Sequence, residues 1–238
     1  MAGTPFHRQT TPETFDTSAG SPFLRSDSTG RSYRGTLHVE GTCVKWIPPI
    51  YKKDAWRGTW QFDGGGALMN QGVHGVDIIQ YVAGPVARVC ALTKTLTRPI
   101  EVEDTAAAVM EFQSGAIGIL KGTTSLYPGF PSAFFIHGER GSVAVQGENI
   151  ITWQFDETLP GDAEVMKANV DMNNSMGSDP EAHTDRAHEA CIRSFLEAVR
   201  EDKTPTVSAE EARKSVELIL AIYHSSKTGR WVELPFTG

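Results

Sequence analysis

The sequence has no apolar run long enough to cross a bilayer. No window approaches the roughly 18 uninterrupted apolar residues that a membrane helix needs, and the first residues, MAGTPFHRQTTPETF, hold no apolar stretch of a secretion signal. Neither membrane insertion nor export is expected. Cysteine is scarce: Cys43, Cys90 and Cys191 are odd in number, far apart and never paired as C-x-x-C. That pattern argues against a disulfide framework or a zinc knuckle and fits a reduced, cytoplasmic compartment. Basic excess is missing too. With 22 Lys and Arg against 29 Asp and Glu, the net charge is -7 and no basic stripe is present to displace counterions from phosphates, so nucleic acid is not an expected partner.

What remains is an ordinary globular composition, 39% hydrophobic and 21% charged over 238 residues. A chain of this length buries about 70 to 75% of its unfolded surface and needs no disulfide or metal to hold its core. Residues 1–33 are about half Ser, Thr, Gly and Pro without helical or strand period, the composition of a mobile tail, and residues 34–238 carry the ordered domain. The run YRGTLHVEGTCVKW predicts a strand bent near Gly41, and Pro48-Pro49 ends it. A loop over 47–63 follows, carrying Tyr51, Trp56, Arg57 and Trp60, more aromatic surface than a solvated connection usually bears.

Apolar residues at Leu68, Val73, Val76, Ile79, Tyr81 and Val82 recur close to every 3.6 positions and predict a helix over Ala67 to Ala83, stopped at Gly84-Pro85. Six strand-like runs come next, VARVCALTKTL, DTAAAVMEFQ, AIGILKGTTS, SAFFIHGE, GSVAVQG and NIITWQF, several joined by tight turns that force antiparallel pairing. Two helices are predicted near His183 to Glu201 and Ala209 to Lys227, the second behind Ser208 with Glu211 at capping-box spacing. The terminal RWVELP reads as an edge strand. Strands and helices do not alternate, so the expected class is α+β: a mostly antiparallel open sheet with helices on one face.

The motifs are few. Gly64-Gly65-Gly66 precedes a helix, where free N–H groups can cradle phosphate, but the spacing is not G-x-G-x-x-G and no parallel βαβ unit surrounds it; close backbone packing explains it better. Asn70, His74 and Asp77, at i, i+4 and i+7, fall on one helical face. Imidazole exchanges protons near neutral pH, so this stripe reads either as a proton acceptor with polar neighbours or as a core histidine satisfied locally. His183 and His188 do not share a helical face and His188-Glu189 is not followed by a second histidine, so no metal site is expected. Cys191 lies on an apolar helix face, where burial is expected.

Taken together, W-R-G-T-W at Trp56 to Trp60, D-G-G-G-A-L-M-N-Q-G-V-H-G-V-D at Asp63 to Asp77, I-E-V-E-D-T-A at Ile100 to Ala106, I-H-G-E-R-G-S-V at Ile136 to Val143 and E-E-A-R-K-S-V-E-L-I-L-A-I-Y-H-S-S-K at Glu210 to Lys227 resemble the C-terminal domain of the Gfo/Idh/MocA family, the glucose-fructose oxidoreductases and inositol dehydrogenases. The resemblance implies a dihydrodipicolinate-reductase-like C-terminal domain of an NAD- or NADP-dependent oxidoreductase acting on a sugar, polyol or related hydroxyl compound. His74 matches the family's catalytic base. Asn70 stands where the family commonly has aspartate, and an amide can orient a hydroxyl but cannot share a proton. Lys45, Trp46, Trp56, Arg57 and Asp77 are the implied substrate contacts.

In the family a Rossmann domain comes first and brings the Gly-rich loop and an E-K-P lysine. Neither motif occurs here, so the chain is expected to be truncated and inactive alone, no cofactor is expected to bind it by itself, and a separate Rossmann-domain chain is one partner that could complete it. A homo-oligomer through the open sheet face is also expected. The alternative is a non-enzymatic oligomerisation or carbohydrate-binding module.

Overall fold

A computed structural model describes residues 36–44, 56–147, 149–158, 161–167, 182–205 and 207–238. The expected tail over 1–33 and the expected contacts Lys45 and Trp46 lie outside the described residues. The elements run β1 (Thr36–Val44), α1 (Trp60–Asp63), a π-helical turn (Ala67–Gly72), α2 (Val73–Ala83), β2 (Val86–Lys94), β3 (Thr105–Phe112), β4 (Ile117–Thr123), β5 (Ala133–Gly138), β6 (Gly141–Gln146), β7 (Asn149–Phe155), α3 (Ala182–Glu201), α4 (Ala209–Thr228) and β8 (Val232–Glu233). The α+β expectation holds.

All eight strands form one sheet in the order β7-β6-β5-β1-β4-β3-β2-β8. Every pairing is antiparallel except β1 with β4, where Val39 lies opposite Gly118 and Val44 opposite Thr123. Parallel neighbours need a long crossover, and the helical segment between β1 and β2 starts it. Alternation does the rest. On β3, Ala106, Ala108, Met110 and Phe112 point into the core while Val109 stays exposed; on β4, Leu120 is buried while Ile117 and Ile119 are exposed.

The buried face lies under α2 and α4, which pack on each other and on β1 and β2. Val76 and Ile79 of α2 and Leu218, Ile219 and Ile222 of α4 meet Val89, Met110, Phe112 and Leu120 of the sheet. Gly41 permits the closest approach: a Cβ there would lie 2.2 Å from Ile79 Cδ1. Helix α4 starts as expected, with Glu211 N–H donating to Ser208 Oγ at 3.2 Å, although the Glu211 carboxylate pairs with Lys214.

Cys191 departs from expectation. It is exposed, as are its neighbours Ile192, Phe195, Leu196 and Val199, so the apolar face of α3 is not turned into the core formed by the described residues.

Candidate active site at one end of the sheet

Three glycines lead into the helix that carries the polar stripe, and the structure gives the last of them a specific task. Gly66 N–H donates to Glu103 Oε2 at 2.8 Å, Leu68 N–H to Glu103 Oε1 at 2.9 Å, and Ala67 N–H to the Glu103 backbone carbonyl at 2.9 Å. Only a residue without a side chain fits against that carboxylate: a Cβ on Gly66 would sit 1.8 Å from the Glu103 carbonyl oxygen. The N–H groups that could have cradled a phosphate are therefore spent on a protein carboxylate. This removes the phosphate-cradle reading and supports close backbone packing.

Tyr223 of α4 closes the clamp, its hydroxyl donating to Glu103 Oε1 at 3.0 Å. Trp60 meets the Tyr223 ring edge-on, with centroids 5.2 Å apart, and the Trp60 backbone N–H donates to Glu101 Oε2 at 3.2 Å. Burial pushes the Glu103 carboxyl above the usual carboxylate range, more than its donors pull it down. Burial, followed by the Glu103 charge, pushes the Tyr223 phenol well above its usual range.

Asp104 behaves in the opposite way. Burial alone would raise it, yet the N–H groups of Leu96, Thr97 and Arg98 and the Thr105 hydroxyl, all at 2.8 to 3.0 Å, together hold it below its ordinary 3.8. The depressed carboxyl contributes stability above pH 3.8 that is lost as pH falls through its folded value, whereas the raised Glu103 favours the fold below pH 4.5 and withdraws that support as pH rises. Replacing Asp104 by asparagine is thus expected to cost about 2 to 3 kcal/mol at pH 7, and the gap to the unsubstituted chain narrows in denaturant melts run below pH 3.8.

Beyond the clamp the chain coils into Ala67–Gly72, a π turn where an α-helical start was expected. Its i→i+5 bonding displaces Asn70 from the place that 3.6-residue spacing gives it relative to His74, and such turns recur at functional sites. Asn70 and His74 are both exposed. Asn70 Oδ1 accepts from Gln71 Nε2 at 3.1 Å. Asp77, also exposed, turns its Oδ1 to the neighbouring helix, where it accepts from Ser215 Oγ at 2.7 Å and fastens α2 to α4. Trp56 and Arg57 are exposed and stacked, with the guanidinium 4.7 Å from the indole centroid. They are joined to the clamp through Gly58, whose carbonyl accepts from Glu101 and Val102 N–H.

The sheet register brings these pieces to one end. Strand β1 leaves the sheet at Val44 opposite Thr123, the last residue of β4; β3 enters at Thr105 opposite both Thr123 and Lys94, the last residue of β2; β5 enters at Ala133 opposite Thr42. The 95–104 loop, the 124–132 loop and the Glu103 clamp beneath the π turn share that end. Sequence reading singled out Asn70, His74, Asp77, Trp56 and Arg57 but missed Glu103, Asp104 and Tyr223. The signal for the first two was an E-D pair opening a strand.

One eight-stranded sheet with α2 and α4 packed on one face is an α+β domain like the C-terminal domains of Gfo/Idh/MocA dehydrogenases. Residues 35–144 match the GFO/IDH/MocA C-terminal domain, and the chain carries a domain of that family. It resembles the WlbA dehydrogenase of Bordetella pertussis, solved with NADH and UDP-GlcNAcA, at 33% identity and a TM-score of 0.76, over 88% of this chain and 59% of that one. The WlbA dehydrogenase of Chromobacterium violaceum, solved with the same two ligands, aligns at 36% identity and a TM-score of 0.73, over 86% of this chain and 56% of that one. D-apiose dehydrogenase of Rhizobium rhizogenes is 25% identical over 168 residues, 68% of this chain and 47% of that relative. The chain thus spans about half the length of the curated relative it matches.

Proposed function

We propose that this chain is the substrate-binding half of an NAD(H)-dependent dehydrogenase acting on a nucleotide-linked sugar, with His74 as the catalytic base. The observation that carries the reading is the exposed His74 on α2, which follows a π turn whose start is locked to Glu103 at the loop-bearing end of the sheet. The likeness to two dehydrogenases solved with UDP-GlcNAcA supports the substrate class.

Oxidising a secondary alcohol removes a hydride from carbon and a proton from oxygen. The hydride is cofactor chemistry, and the proton falls to a ring nitrogen of His74. The Asn70 amide orients the hydroxyl, while Lys45, Trp46, Trp56, Arg57 and Asp77 are proposed to line the sugar. The helix start at Gly66 to Leu68 does not hold the cofactor's pyrophosphate, because the N–H groups of Gly66, Ala67 and Leu68 already serve Glu103. The nicotinamide is held by a nucleotide-binding domain that the described residues do not supply.

A second copy of the chain is the proposed cover for the open sheet face, where Leu92, Val109, Ile117 and Ile119 are exposed and Val109 lies opposite Ile119. Thermal unfolding separates the parts. UDP-GlcNAcA at 100 times its dissociation constant is expected to add about 2.7 kcal/mol and raise the midpoint by about 5 to 11 °C, while NADH alone leaves it in place. A midpoint that follows NADH and ignores the sugar nucleotide contradicts the assignment.

A further inference from the structure

The loop from β4 to β5, residues 124–132, exposes three apolar side chains: Leu126 at 51%, Tyr127 at 78% and Phe130 at 61%. Its ends are fixed. Thr124 N–H donates to the Asp104 carbonyl at 3.0 Å, Arg98 Nη2 donates to the Thr124 carbonyl at 2.6 Å, and Gly147 N–H donates to the Ser132 carbonyl at 2.7 Å. Asp104, which receives the loop, directly follows Glu103, which clamps the start of the His74 helix. The aromatic loop and the His74 helix therefore hang from two consecutive residues. Tyr127 is three residues past Thr124, a reach of at most about 11 Å.

A sugar bound at His74 with a nucleoside diphosphate attached needs a flat apolar surface for the base, set back from the sugar by the length of the diphosphate and ribose. Exposed rings on a loop anchored at both ends offer that surface, because base stacking asks only for a π face and little reordering. The Arg98 guanidinium, bonded to the Thr124 carbonyl, adds positive charge at the loop root. We infer that Tyr127 and Phe130 form the base-stacking subsite for the nucleoside diphosphate of the substrate. This rests on the reading of the site as one for a nucleotide-linked sugar.

Calorimetric titration of the full chain with UDP, with UDP-GlcNAcA and with the free sugar acid tests it, using the unsubstituted protein and the Tyr127→Ala and Phe130→Ala variants. Both side chains are exposed, so the variants should keep the unfolding midpoint of the unsubstituted protein. Expected is a loss of UDP affinity of about tenfold per ring, with affinity for the free sugar acid unchanged. UDP affinity unaltered in both variants, or a chain that binds the free sugar acid but not UDP, overturns the base subsite and leaves the sugar site standing. Binding of none of the three ligands overturns both. Variants that keep UDP affinity but lose self-association in sedimentation make the loop a contact between copies, which also overturns the subsite.

Discussion

Replacing His74 by alanine is expected to lower turnover of the completed enzyme by about 100- to 10,000-fold, the range that a positioned proton acceptor supplies. The sugar KM should change far less, because Asn70 and the lining residues still hold the substrate. His74 is exposed and makes no contribution to the apolar core, so its removal should leave the unfolding midpoint nearly unchanged. That separation matters, since loss of activity with loss of fold would say nothing about chemistry. Steady-state kinetics of the enzyme with a nucleotide-binding domain present, set beside a thermal melt of the same preparation, reads both. Turnover within twofold of the unsubstituted protein removes His74 from the mechanism.

The largest structural effect is expected from Gly66→Ala. The added Cβ would meet the Glu103 carbonyl oxygen at 1.8 Å, its carbon at 2.8 Å and Oε2 at 2.9 Å. The two closest atoms are backbone, so no side-chain rotation relieves the clash. Residue 103 has to move, and its bonds to Gly66, Ala67 and Leu68 N–H weaken together. Overpacking and the lost hydrogen bonds combine to about 3 to 5 kcal/mol, a fall in midpoint of about 6 to 20 °C.

Gly64→Ala is the control two residues away. A Cβ there meets nothing within 4 Å, but the backbone is left-handed at φ +68°, and the substitution should cost only about 1 kcal/mol. Equal effects at the two positions would mean that general flexibility, and not the approach to Glu103, is why glycine stands at 66.

The contrast between those two glycines shows where sequence reading reaches its limit. The order of strands and helices was legible because alternation over β3 and β4 and the spacing of Val76, Ile79 and Val82 on α2 each answer to one buried face. The position of β1 was not. Its place between β4 and β5, parallel to the first, is decided by a crossover and by the fit of Ile79 against Gly41, neither of which leaves a local period. The π turn left one faint signal, since Leu68 and Val73 stand five apart whereas Val73, Val76, Ile79 and Val82 recur every three residues.

His74 and Asn70 stood out as polar residues on an apolar helix. Glu103 did not, because a glutamate opening a strand reads as solvated until its partner, Leu68, is known to lie 35 residues earlier in the chain. Cys191 failed differently. An apolar helix face predicts burial only when something covers it, and none of the described residues buries the exposed Ile192, Phe195, Leu196 and Val199 of α3.

The most direct test is histidine-ring NMR of the chain titrated with UDP-GlcNAcA. The account predicts that the His74 ring signals shift saturably, while those of His137 on the sheet and His224 stay in place. His224 is the internal control because it lines a separate recess of about 380 Å³ with Arg230 and Trp231. A His74 signal that does not move at saturation, or a ligand that moves His224 in its stead, contradicts the placement of the active site on α2.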